Sequence, residues 1–170
     1  MKRRQFVKGR LRNIRGFTMI EIIAALIIIA IASAVVISRG ASTTDANLKS
    51  AAEVLRSHIR YVQIRAMNLK SSDTTCNAAF GISVNNPYFM FKDCNPGSKV
   101  TLPGASGDTI SLPSGMTVTS ATFSFDNWGR PYAVANPDPL AQTSSTIPLS
   151  LDYQGLTEPI TITGNTGFVP

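Results

Sequence analysis

Histidine and cysteine are scarce in this chain of 170 residues, which has one histidine and two cysteines. Neither Cys76 nor Cys94 belongs to a CxxC pair or a Cys/His grouping of the kind that binds zinc. The sequence also lacks a Ser/His/Asp set in a credible context, a phosphate-binding glycine loop and a calcium-ligand loop. We therefore expect no catalytic residue, no metal and no cofactor, and we interpret His58 as a structural residue.

Acidic residues are absent from residues 1–16, where seven of the 16 lysines and arginines lie. Residues 17–170 carry nine Lys and Arg against ten Asp and Glu, a formal charge of −1. A net charge of +6 would otherwise suggest a nucleic-acid partner. Because that charge belongs to the N-terminal stretch, nucleic acid is not expected to be a partner of the body.

Glycine and proline are absent from residues 17–37, which contain a single charge, Glu21. As a helix this run would be about 31 Å long, roughly the thickness of one bilayer core. It has no continuous polar stripe, so we predict a transmembrane helix over residues 17–38. The basic residues before it favour a cytoplasmic N-terminus. The body is then expected in the periplasm or at the cell exterior.

An ordinary secretory signal peptide has a similar layout, and a cut after Ala32 would fit one. Two features favour the membrane anchor instead. The apolar run is long for a signal peptide, and Glu21 lies inside it, where an unpaired charge costs a few kcal/mol. An acid inside a membrane span is by default a hypothesis for a functional site.

The segment RGFTMIE, residues 15–21, resembles the processing site of type IV prepilins and of type II secretion pseudopilins. The resemblance implies a basic leader over residues 1–16, cleavage by prepilin peptidase between Gly16 and Phe17, and methylation of the new amino group of Phe17. It also implies other pilins or pseudopilins as partners through the N-terminal helix. The implied location is the bacterial inner membrane, with a single pass and a C-terminal head in the periplasm.

The same resemblance implies a role for Glu21 in filament assembly. In the family, the acid of an entering subunit is thought to meet the N-terminal amine of a neighbour. Pairing would relieve two costly charges in an apolar core and fix the axial register. The alternative is that Glu21 extends to the membrane interface and has no specific role.

Residues 39–70 are predicted to continue the helix into the head as an amphipathic segment. Apolar residues spaced by alternating fours and threes form its stripe: Leu48, Ala52, Leu55, Ile59, Val62, Ala66 and Leu69. The stripe is expected to pack on a sheet. The basic residues Arg56, Arg60 and Arg65 are interpreted as a solvated face that can also meet the acids of a neighbouring subunit.

Residues 71–170 are rich in turn formers and short alternating runs, which predict a β-rich head. The predicted strands cover 78–84, 88–92, 99–102, 109–112, 117–125, 131–135, 147–152 and 160–163. The last two form a hairpin that places Ile147, Leu149 and Leu151 opposite Ile160 and Ile162. The predicted fold class is α+β, with a long N-terminal helix on an antiparallel sheet, as in pilins.

Cys76 and Cys94 lie just outside the first predicted hairpin. If the head is outside the cytoplasm, a disulfide is the natural interpretation. Closing this loop would stabilise the folded head by about 3 kcal/mol. Two buried free thiols are the alternative.

The segment FDNWGRP, residues 125–131, resembles the F-D-x-x-G-R-P element of H-type minor pseudopilins and related minor pilins. The matching positions are Phe125, Asp126, Gly129, Arg130 and Pro131. The closing hairpin followed by GNTG, residues 164–167, is also similar to that group. By itself the segment reads as a turn in which Arg130 can pair with Asp126. Some relatives that bind DNA carry arginines near the C-terminal glycine turn, and this chain has none there.

These features predict a structural subunit, not an enzyme, that assembles into a type II secretion pseudopilus. The runner-up is a minor pilin of a type IV pilus that serves adhesion, motility or DNA uptake. A signal-anchored periplasmic enzyme or binding protein is the alternative from another class.

Overall fold

A computed structural model describes residues 17–135 and 146–170, without the side chains of residues 36–42. The predicted leader over residues 1–16 lies outside the described residues. The chain divides into two compact units, Met1–Gly40 and Ala41–Pro170. Each unit is described by itself below.

The helix α1, Met19–Asn68, begins in the first unit and ends in the second. Its first turn is capped, because the Oγ1 of Thr18 accepts a hydrogen bond from the backbone N–H of Glu21 (3.3 Å). From Met19 to Val35 every described side chain is exposed, including large apolar ones such as Leu26 and Ile29 (both 61%). Within residues 17–135 and 146–170, no helix has both the length and the apolar character that a membrane span needs. The transmembrane helix over residues 17–38 therefore stays a prediction.

The apolar stripe of α1 in the second unit is buried, as the spacing predicted. Its buried members are Leu48, Ala52, Leu55, Ile59, Val62 and Ala66, each at most 2% exposed. The prediction was wrong for Leu69, which is 46% exposed and follows the last helical residue, Asn68. The run Lys70-Ser71-Ser72, which follows, offers no further apolar position at helical spacing.

A five-stranded antiparallel sheet has the order β3-β2-β1-β5-β6. Its strands are β1 Phe80–Val84, β2 Phe89–Lys92, β3 Asn95–Val100, β5 Ala121–Phe125 and β6 Pro131–Tyr132. β1 is the central strand, and all five of its residues are buried. Gly81 permits this packing, because a Cβ there would collide with the ring of Phe91 and lie 2.7 Å from the carbonyl oxygen of Phe123.

A three-stranded antiparallel sheet has the order β4-β7-β8. Its strands are β4 Met116–Val118, β7 Ile147–Tyr153 and β8 Leu156–Ile162. The predicted closing hairpin is confirmed, with Ile147 opposite Ile162 and Leu149 opposite Ile160. Gln154 and Gly155, which connect the two strands, both have positive φ, as a two-residue hairpin turn of the primed type requires.

Helix and sheets share one core, which contains the helical stripe, Phe123 and Phe125 from β5, and Leu151, Ile160 and Ile162 from the second sheet. The α+β prediction of an N-terminal helix with antiparallel sheet structure is therefore confirmed.

Five predicted strands differ from the observed ones. The strand predicted over 131–135 covers only Pro131–Tyr132, and the strand predicted over 160–163 is β8, which begins earlier, at Leu156. The single strand predicted over 117–125 is two strands, β4 and β5, which belong to different sheets. Residues 109–112 form only an isolated bridge between Ile110 and Tyr88. The strand predicted over 99–102 is β3, which begins earlier, at Asn95, and tolerates Pro96 because it is an edge strand.

Candidate functional site

The start of α1 holds the described part of the predicted processing region. Gly16 lies outside the described residues, and Phe17 precedes the helix with its side chain 80% exposed. Glu21 lies in the first turn, where a carboxylate is favoured by the helix dipole. The structure therefore presents Phe17 and Glu21 at an exposed helix end, one turn apart.

Thr18 is the residue of this region that sequence reasoning missed. Its Oγ1 accepts from the N–H of Glu21, and its carbonyl oxygen accepts from Glu21 (3.1 Å) and Ile22 (3.3 Å). The spacing Thr18-x-x-Glu21 is that of a capping box and was visible in the sequence. Thr18 therefore fixes where the helix begins relative to Phe17.

The FDNWGRP segment is organised around the Asp126 carboxylate, which is buried (5% exposed). Its Oδ1 accepts from the backbone N–H groups of Trp128 (3.0 Å) and Arg130 (2.9 Å). Its Oδ2 accepts from the Nε of Arg130 (2.6 Å) and the hydroxyl of Tyr132 (3.3 Å). The suggested pairing of Arg130 with Asp126 is thus present.

These contacts set the charge state of the turn. The hydrogen bond and ion pair with Asp126 raise the pKa of the Arg130 guanidinium above its ordinary value. Burial, together with the negative charge of Asp126, raises the pKa of the Tyr132 hydroxyl. Arg130 and Tyr132 therefore remain protonated donors to one carboxylate, and these charge-assisted hydrogen bonds stabilise the turn.

The two segments that carry the head resemblance, residues 125–131 and 164–167, meet at the helix. The Nε2 of Gln63 donates to the carbonyl oxygens of Gly129 (2.9 Å) and Thr166 (3.2 Å). Gly129 and Gly167 both have positive φ, and a Cβ on Gly167 would collide with the carbonyl oxygen of Gly129. These contacts of Gln63 could not be predicted from the sequence, because the two acceptors lie 66 and 103 residues away along the chain.

A disulfide joins Cys76 to Cys94, with the Cα atoms 5.6 Å apart, which confirms the predicted bond. It lies beside Asp93, whose carboxylate accepts from the backbone N–H of Ser72 (2.9 Å) and the hydroxyl of Ser71 (3.0 Å). These hydrogen bonds lower the pKa of Asp93. The disulfide and Asp93 together hold the segment after α1 against the β1–β2 hairpin.

The interpretation of the helix arginines as a solvated face was wrong for Arg56 and holds for Arg60, which is exposed. The side chain of Arg56 is only 11% exposed and pairs with Glu53 (2.5 Å) and Glu158 (2.9 Å). Arg60 donates to the carbonyl oxygen of Val169 (2.7 Å). Glu158 and Val169 are distant in sequence from their arginines. These two contacts tie the helix to β8 and to the C-terminal segment.

Arg65 is only partly exposed, and its guanidinium lies 4.7 Å from the ring centroid of Phe80. That separation is a cation–π distance, so Arg65 also contacts the head's own sheet.

His58 is buried on the helix between two polar partners. Its Nδ1 lies 2.9 Å from the hydroxyl of Tyr88, and its Nε2 lies 3.1 Å from the carbonyl oxygen of Pro103. Because a carbonyl only accepts, Nε2 carries the proton and Nδ1 accepts from Tyr88. No group of three or more metal-binding side chains occurs in the described part of the chain.

Residues 11–37 match the family model described as the prokaryotic N-terminal methylation motif. The chain carries this motif. The match includes Gly16, Phe17 and Glu21, and it supports a type IV pilin or pseudopilin precursor that prepilin peptidase processes. The methylation motif is common to pili and pseudopili. Neither a curated protein nor a solved structure was found to match the chain.

Proposed function

We propose that this protein is a filament subunit anchored in the bacterial inner membrane. Prepilin peptidase removes residues 1–16, and the new N-terminal Phe17 is methylated. The apolar segment over residues 17–38 holds the subunit in the membrane until it enters the filament, with residues 71–170 as a periplasmic head. The observation that carries the proposal is the methylation motif over residues 11–37.

The exposed apolar surface of α1 supports the proposed anchor. From Met19 to Val35, large side chains such as Ile28 (67%) and Ile31 (62%) are exposed on all sides of the helix. An apolar surface of this extent requires an apolar environment. A bilayer before assembly, and the helices of neighbouring subunits after it, would each supply one.

Glu21 is proposed to select and align the subunit. Cleavage before Phe17 creates an amine that is cationic at neutral pH, one helical turn from Glu21. Two such charges in an apolar filament core would be costly alone and compensated when paired. Pairing the Glu21 carboxylate of one subunit with the Phe17 amine of another therefore fixes the axial position of each new subunit.

The filament is proposed to be a type II secretion pseudopilus, in which this chain is a minor subunit of the H type. This assignment rests on the resemblance of residues 125–131 and of the closing GNTG segment. The contact of these two segments through Gln63 supports treating them as one structural unit of the head. A minor pilin of a type IV pilus is the second candidate, because the methylation motif is common to both.

The variant Glu21→Gln tests the proposed role of Glu21 in assembly. It keeps the size and polarity of the side chain but removes the charge. Expressed with its filament partners, it should be cleaved normally yet remain in the membrane, with at least tenfold less subunit in the sheared filament fraction. A factor of ten corresponds to about 1.4 kcal/mol, well within the cost of an unpaired buried charge.

Glu53→Gln is the matched control, since Glu53 is an exposed acid on the same helix whose partner is Arg56 in the same chain. It should enter filaments at the normal level. Equal incorporation of Glu21→Gln and the unmodified chain would contradict the proposed role of Glu21.

A further inference from the structure

A groove of about 740 Å³ lies between the segment that follows α1, residues 70–77, and the turn over residues 126–132. Its volume is within the range of about 300–1,000 Å³ that is typical of small-molecule sites. The disulfide holds one wall, and the Asp126 hydrogen bonds hold the other. Both walls are therefore fixed without a ligand.

Trp128 stands at this groove with its side chain 73% exposed. Its position is set from two directions, because its backbone N–H donates to Asp126 and the Arg130 guanidinium lies 4.9 Å from its ring centroid. The indole is thus a fixed aromatic platform in contact with solvent. The core does not require an indole at this position, and the contact with Arg130 leaves most of the side chain open to solvent.

The groove also offers polar side chains that the fold leaves uncommitted. Lys70, Thr74 and Asn127 line it, and their side chains make no hydrogen bond with any residue that the structure describes. They supply an ammonium donor, a hydroxyl and an amide that can both donate and accept. A ligand rich in hydroxyl groups would satisfy all three.

The lining of the groove has as many basic as acidic side chains, which favours an uncharged ligand. Arg130 is neutralised by Asp126, and the same lining contains one further cation, Lys70, and one further acid, Asp73. Hydrogen bonds from Thr75 lower the pKa of Asp73, so its charge persists at neutral pH. A phosphate chain would gain little net attraction here, and an aliphatic ligand would leave the polar lining without partners.

We propose that this groove binds a neutral oligosaccharide. A sugar ring presents C–H groups on its face, which pack on an aromatic ring, and hydroxyl groups at its edge, which need donors and acceptors. Trp128 supplies the first contact, and Thr74 and Asn127 supply the second. The head would then attach to glycan by a function separate from assembly through α1.

The chain contains a single tryptophan, so its intrinsic tryptophan fluorescence reports on this groove alone. The full chain, in a detergent without a sugar headgroup, is titrated with maltotriose, cellotriose and the trimer of N-acetylglucosamine. At least one should give a saturable change in emission. Calorimetry with the same sugar should show about tenfold weaker binding for Trp128→Ala, in line with the loss of one aromatic contact.

Two further variants separate recognition from folding. Asn127→Ala, on an exposed side chain, should weaken binding without lowering the thermal unfolding midpoint. Phe168→Ala removes another exposed aromatic side chain (62%) that does not line the groove, and it should bind as the unmodified chain does. The proposal is overturned if none of the three sugars gives a saturable change or if Trp128→Ala binds equally well. A single-stranded oligonucleotide and an acidic peptide are titrated in the same way. The proposal is also overturned if only one of these two binds.

Discussion

The contact between α1 and the C-terminal segment depends on three residues, Gln63, Gly129 and Gly167, where a larger or different side chain would not fit. Gln63 holds two loops through their carbonyl oxygens, and Gly129 and Gly167 allow those loops to touch. Gly129 has positive φ, and a Cβ there would lie 2.9 Å from the Sδ of Met67. Side-chain size at these two glycines therefore decides whether both loops can dock on α1.

Gly167→Ala should be strongly destabilising, and Gly155→Ala only mildly so. Both glycines have positive φ, which costs an alanine about 1–2 kcal/mol. Around Gly155 no atom lies within 4 Å of the added Cβ, whereas at Gly167 the Cβ would collide with Gly129 and Gln63. Urea unfolding should show an additional loss of about 1–3 kcal/mol for Gly167→Ala. Equal losses in the two variants would contradict the described contact.

His58 should make the stability of the head depend on pH below neutrality. Burial lowers the pKa of His58 below its ordinary value of 6.5, so the unfolded chain binds the proton more readily. Stability is then fully present above about pH 6.5 and is lost as the pH falls below it. Tyr88, whose pKa burial raises to about 12, stays protonated throughout.

The comparison with His58→Gln isolates this effect, because His58 is the only histidine. Thermal unfolding midpoints measured between pH 7.5 and 5.5 should fall for the unmodified chain and stay nearly level for the variant. Parallel curves would show that His58 does not titrate differently in the folded and unfolded chain.

At the scale of elements, the disulfide is the main covalent restraint on the head. It joins residues 18 apart in sequence, and the loop-entropy model gives about 3 kcal/mol for a loop of this size. Reduction should lower the thermal midpoint of the head accordingly. The double variant Cys76→Ser/Cys94→Ser should show the lower midpoint with or without reductant. A chain whose midpoint is unaffected by reduction would contradict this role of the bond.

Helices and strands could be predicted from the sequence where apolar periodicity and turn residues define them. The helical stripe from Leu48 to Ala66 and the hairpin of β7 and β8 follow from periodicity and from the Gln154-Gly155 turn. The run over residues 116–125 also alternates, but alternation does not reveal which neighbour a strand pairs with. The backbone N–H of Thr119 still donates to the carbonyl oxygen of Ser150 in β7, whereas Ala121 already pairs with Val84 on β1.

Contacts between residues distant in sequence account for the failed interpretation of Arg56 and for the missed role of Gln63. Arg56 looked solvated because its partner Glu158 is 102 residues away, and Gln63 drew no attention for the same reason. Asp126 and Arg130 were paired correctly because they lie four residues apart within one turn. Contacts within one turn could therefore be predicted from the sequence, whereas contacts that bring separate segments together could not.

At the scale of the whole molecule, the chain combines an exposed apolar helix with a head that has its own core. The two parts correspond to the units Met1–Gly40 and Ala41–Pro170. The methylation motif belongs to the first, and the FDNWGRP turn and its groove belong to the second. In the proposed function, the first part provides anchoring and assembly, and the second is free to carry recognition.

The intact mass of the protein recovered from membranes tests the central claim most directly. Cells with and without a functional prepilin peptidase are compared. The account predicts a chain that begins at Phe17 and carries one added methyl group, and it predicts that both changes disappear without the peptidase. A chain that retains residues 1–16 in both strains, or that has been cut after Ala32, would contradict it.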